Sequence, residues 1–147
     1  MKPDFNELIP ELRDWNGGAG ISIDRWIRIV GTTSHALGFG RLFWPEFTLH
    51  EGHILFSNFG IESFRGFATQ TGGDRRAPEA AMNHRHLASP FAESEGTAEQ
   101  FLYLGRLMQD MWQAKLARDF PGERIVVTFH ANPADDPLEW VISFAHV

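Results

Sequence analysis

The 147-residue chain contains no cysteine, which excludes disulfides, thiolate catalysis and Cys-ligated zinc. Positive charge is also scarce: 13 Lys and Arg stand against 19 Asp and Glu, a net charge of −6 with histidine neutral. A protein that relies on nucleic-acid phosphates needs a basic face, and none is visible, so nucleic acid is not an expected partner. No apolar run approaches the ~18 residues that mark a membrane-spanning helix. The N-terminal MKPDFNELIPELRDW is acidic and broken by Pro3 and Pro10, unlike a signal peptide. These absences describe a cytoplasmic chain of bacterial type with no membrane partner. Tyrosine occurs once, against 13 Phe and 5 Trp, so nearly all of the aromatic content is suited to a packed core.

What is present suffices for one domain over residues 1–147. Hydrophobic residues make up 43% of the chain, and no linker, repeat or low-complexity run divides it. Asp4 can cap a short helix carrying Phe5, Leu8 and Leu12, kinked near Pro10. Ser22 can cap the next, in which Trp26, Ile29, Val30 and Leu37 follow a helical stripe that Ile23 and Ile27 widen. So broad an apolar surface predicts a helix buried on more than one side, stopped at Trp44-Pro45. A two-residue turn at Glu51-Gly52 makes 47–56 a hairpin that pairs His50 with His53 and Leu49 with Ile54. Its core face is then Phe47, Leu49, Ile54 and Phe56. Helices follow around 61–68 and from Pro78 to about Leu87, then a loop over 88–96. Thr97 and Gln100 form a capping box that opens the longest helix. Residues 124–147 read as a second hairpin across ANPADDP. The expected class is α+β: a four-stranded antiparallel sheet built from hairpins 47–56 and 124–147, packed on one face by four to five helices.

Three constellations could carry chemistry. His50 and His53, opposite each other in the hairpin, are spaced to share a divalent metal such as zinc, with Glu51 or Glu46 as an oxygen ligand; the competing reading is a polar hairpin tip. His84 and His86 form an H-x-H pattern, which a helix sends to opposite sides and only a strand or an earlier helix end could unite. Gly73, Arg75 and Arg76 could receive a phosphate or carboxylate, or simply follow a helix end as solvated charge. No G-x-S-x-G, S-x-x-K or H-E-x-x-H pattern occurs, and no catalytic carboxylate pair can be named. No cofactor is expected, a divalent metal being the one candidate. His130 is expected to face Glu139 across the second hairpin.

The segments RLFWPEF (41–47), AAMNHRHL (80–87) and LGRLMQDMWQAKLARDFPGERIVVTF (104–129) resemble a widespread set of short bacterial proteins without an assigned activity. The resemblance implies a single bacterial, cytosolic domain and transfers no residue role. The expected function is a small non-catalytic protein-interaction domain, comparable to the acidic immunity partners of bacterial toxins. Its expected interface is the second sheet face, carrying Thr48, Leu55, Val126, Thr128 and Val141 and covered by a partner or a second copy. The alternative is a metal-dependent hydrolase using a histidine pair.

Overall fold

The computed structural model describes residues 2–70, 72–91 and 95–147, which fold as two compact units, residues 1–40 and 41–147. In the first unit Asp4 caps α1 (Phe5–Leu8) by accepting from Asn6 N–H, and Pro10 opens a 3-10 turn at Pro10–Arg13. The helix expected between Ser22 and Trp44 is instead two helices, α2 (Ile23–Val30) and α3 (Thr33–Phe43). Ser22 caps α2 through Arg25 N–H, and Thr32 does the same for α3 through His35 N–H. The break falls at Gly31, whose backbone runs extended and so close to the Ile27 carbonyl that a Cβ there would stand 2.5 Å from its oxygen. Burial on several sides does not occur: Ile27, Ile29, Val30, Leu37 and Phe39 are all exposed.

The second unit contains the main core. Strands β1 (Phe47–His50) and β2 (His53–Phe56) form the expected hairpin in the expected register, His50 opposite His53. Glu51 and Gly52 both adopt positive φ, 50° and 81°, the mirror-image turn whose twist matches that of the strands. Helices α4 (Ile61–Gln70) and α5 (Arg76–Met82) follow. The last helix, α6 (Ala98–Asp119), opens with the full Thr97–Gln100 capping box. Strands β4 (Ile125–His130) and β5 (Val141–His146) pair antiparallel, and β3 (Arg85–His86) adds to the free edge of β5. The loop expected over 88–96 holds a 3-10 turn at Ser89–Phe91, and its residues 92–94 lie outside the described chain.

The single four-stranded sheet is therefore corrected to two sheets, of two and three strands. The reason is polar and lies on α5. Helix α5 ends at Met82 rather than near Leu87, and Glu79 and Asn83, four residues apart, stand between β2 and β5. The Glu79 carboxylate accepts from Ile54 N–H (3.0 Å) and His146 N–H (2.8 Å). The Asn83 amide donates to the carbonyls of Ile54 (2.9 Å) and Phe144 (3.2 Å). Two side chains thus satisfy the backbone groups that a direct β2–β5 ladder would have used. Apolar packing completes the join. Ile54, Phe56, Leu87, Phe101, Met108, Trp112, Leu116, Ile125, Val127, Trp140, Ile142 and Phe144 form one continuous core. Phe56 meets Trp112 and Phe144 edge-on at 5.1 and 5.2 Å. Helix α6 is fastened to β4 by Gln109 and Gln113, which donate to the carbonyls of Val127 and Ile125.

Candidate functional site

Burial of one histidine and one glutamate together defines the most organised polar site. Residues Ile142, Phe144 and His146 alternate onto the core face of β5, so the strand period itself carries an imidazole into the interior. His146 Nδ1 lies 2.7 and 2.8 Å from the two carboxylate oxygens of Glu79, which is 0% exposed. A carboxylate only accepts, so Nδ1 carries the proton and the ring is fixed in one orientation. The opposite nitrogen, Nε2, faces outward, 2.8 Å from the Arg75 guanidinium and 3.0 Å from Glu123 Oε2. Arg75 also donates to the Gly52 carbonyl at the hairpin turn (2.6 Å). Around Nε2 opens a shallow basin lined by Gly73, Arg75, Arg76, Glu123, Arg124 and His146. Sequence reasoning named Gly73, Arg75 and Arg76 but not Glu79, Glu123 or His146. The available signal for His146 was its place in the apolar alternation of β5.

The histidine pairs do not converge. His50 and His53 do lie on one hairpin face, but that face is covered by Phe64 of α4, whose ring meets theirs at 5.0 and 5.1 Å. His53 Nδ1 is 3.8 Å from Glu79 Oε1 and His50 Nε2 is 3.7 Å from Glu51, both beyond hydrogen bonding. His50 and His53 are half-buried beside the exposed turn residues Glu51 and Gly52, and among the described residues no third metal donor joins them. His84 and His86 flank the start of β3, where strand geometry does place them on one side, with rings 5.0 Å apart. His86 and His130 both pair with Val141, from opposite sides of β5, so His130 does not face Glu139. Among the described residues, no three His, Asp or Glu side chains stand where they could hold one metal ion.

Partial burial, then the neighbouring His86, Arg85 and His130, hold the His84 pKa below its ordinary 6.5. The fold thus favours neutral His84. Its contribution to stability is present above the ordinary value and lost as pH falls through the lower folded value. A histidine NMR titration is expected to place the His84 midpoint below 6.5, and His86→Ala to raise it.

The expected interface divides. Leu55 is 0% exposed and belongs to the core, because α4 covers the hairpin face that was expected to be open. Leu49, expected in the core, is 56% exposed instead. Thr48 and Val141 are half-buried, while Val126 and Thr128 are exposed on the outer face of the three-stranded sheet. Part of that face is taken by α5, where Ser143 Oγ donates to the Ala80 carbonyl. The larger run of exposed apolar side chains lies on α2 and α3, with Leu37 72% exposed.

Comparison with family models, curated proteins and solved structures gives no match. The functional reading therefore rests on surfaces and side chains. No helix among the described residues is long and apolar enough to cross a membrane.

Proposed function

We propose that the chain is a non-catalytic protein-interaction domain that associates with a second copy of itself through α2 and α3. The observation carrying this reading is the exposure of Ile27, Ile29, Val30, Leu37 and Phe39 within thirteen residues of the first unit. Exposed apolar side chains recurring along two successive helices favour burial against another surface. A second copy suits the charges around them. Helix α2 carries Asp24 beside Arg25 and Arg28, so a two-fold related copy can set opposite charges against each other. The sheet face carrying Val126, Thr128 and Val141 is the smaller apolar surface and is secondary in this reading.

Burial of one leucine side chain contributes about 2 kcal/mol. Leu37→Glu is accordingly expected to weaken self-association by roughly thirtyfold or more, read by sedimentation equilibrium. At concentrations where the parent is monomeric, its thermal unfolding should stay close to that of the parent, because Leu37 is already exposed in the single chain. A dimer whose dissociation constant is unchanged by Leu37→Glu and by Ile29→Glu would defeat the proposed surface.

A further inference from the structure

The basin around His146 is built from residues of the second unit alone, and its groups fit a ligand that the interaction reading does not use. Arg75, Arg76 and Arg124 line it from two separate segments, 73–76 and 122–124. Among the described residues, the guanidinium groups of Arg76 and Arg124 have no ion-pair or hydrogen-bond partner. Of the basin's two side-chain carboxylates, Asp74 is engaged in accepting from Arg76 N–H (3.0 Å). The other, Glu123, has its Oε2 3.0 Å from His146 Nε2 and 3.7 Å from Arg75. An anion thus already rests against the His146–Arg75 pair, supplied by a side chain that is 40% exposed and follows the Gly122 turn.

We propose that this basin is a binding site for a phosphate group, held by Arg75, Arg76, Arg124 and His146 Nε2, and that Glu123 is the internal anion it displaces. Planar guanidinium forks pair well with phosphate oxygens, and three of them offer more donors than one carboxylate uses. His146 adds a fixed contact because Glu79, fully buried, sets its ring orientation. With Nδ1–H committed to Glu79, Nε2 accepts from Arg75 when the ring is neutral. Protonation turns Nε2 into a donor, which suits either Glu123 or an incoming phosphate. The ligand class is a free phosphate or the phosphate monoester of a larger molecule.

The test follows the His146 ring signal in the NMR spectrum while inorganic phosphate is added to the full chain, with sodium chloride at matched ionic strength as the reference. Saturable movement of that signal by phosphate and not by chloride is expected. Glu123→Gln removes the competing charge and should bind phosphate several-fold tighter. Arg76→Ala/Arg124→Ala should bind at least about tenfold weaker. Both exposed positions lie outside the core, and unchanged melting would certify the fold of each variant. A parallel titration with phenyl phosphate separates the sources: tighter binding than inorganic phosphate assigns the site to a monoester, equal binding to the free ion. Movement that never saturates, matches that in chloride, or is unaffected by both Glu123→Gln and the arginine pair would overturn the proposal.

Discussion

Glu79→Ala is expected to lower the unfolding free energy by about 3–5 kcal/mol, the range for leaving buried charged partners uncompensated. The carboxylate accepts from Ile54 N–H, His146 N–H and His146 Nδ1–H, and it is fully buried, so water does not readily replace it. Three donors from two different sheets would lose their acceptor together. With a urea slope of about 2 kcal/mol per molar, usual for a small domain, the midpoint should fall by roughly 2 M. Glu79→Gln is an informative companion. It keeps the shape but turns one acceptor oxygen into an NH₂ group, which would then face a backbone N–H. It should therefore remain clearly destabilised despite its near-identical volume. A Glu79→Gln protein as stable as the parent would show that the carboxylate is not what joins the sheets.

Gly105→Val is expected to cost about 3 kcal/mol, the upper end of the overpacking range. Gly105 is buried on the face of α6 that meets β4, and a Cβ there would fall within the Phe129 ring, far inside van der Waals contact. Relief requires the Phe129 ring to leave its place or α6 and β4 to separate, against the ties that Gln109 and Gln113 make to the β4 backbone. Gly105→Ala has a smaller expected cost, since alanine returns about 1 kcal/mol of helix propensity. The cause is testable by a double-mutant cycle. Phe129→Ala empties the space that the new methyl would enter, so the double variant should be more stable than the sum of the single effects allows. Additive effects would place the strain elsewhere.

The legible parts of this chain are those whose determinants are neighbours in sequence. The alternation in 47–56 leads to the correct register of the first hairpin, because a one-residue slip would turn Ile54 and Phe56 away from the core. Thr97 and Gln100 mark the start of α6 through a purely local exchange of hydrogen bonds. What stayed hidden is long-range. Glu79 and Asn83 look like ordinary polar residues of a surface helix, yet their partners lie 25 to 67 positions away. Without them, two hairpins read naturally as one four-stranded sheet. The spacing of Glu79 and Asn83 on one helical face, among small and apolar neighbours, was the one available hint. In 22–43 the apolar stripe was read through Gly31, where the backbone leaves the helix, and period alone does not distinguish a buried helix from an exposed apolar surface. Gly73, Arg75 and Arg76 stood out in the sequence because glycine and arginine runs are local features. Their partners Glu123 and His146 come from the other end of the chain.

The absence of cysteine makes the central claim directly measurable, since one introduced thiol is the only one present. Ser34→Cys on the exposed surface of α3 can carry a nitroxide spin label, and unlabelled chains bearing it can be mixed with ¹⁵N-labelled parent. Self-association through α2 and α3 predicts that amide signals from residues 27–39 of the ¹⁵N-labelled copy broaden in the mixture and recover when the nitroxide is reduced. Unbroadened spectra at millimolar concentration, or broadening confined to Val126, Thr128 and Val141, would contradict it.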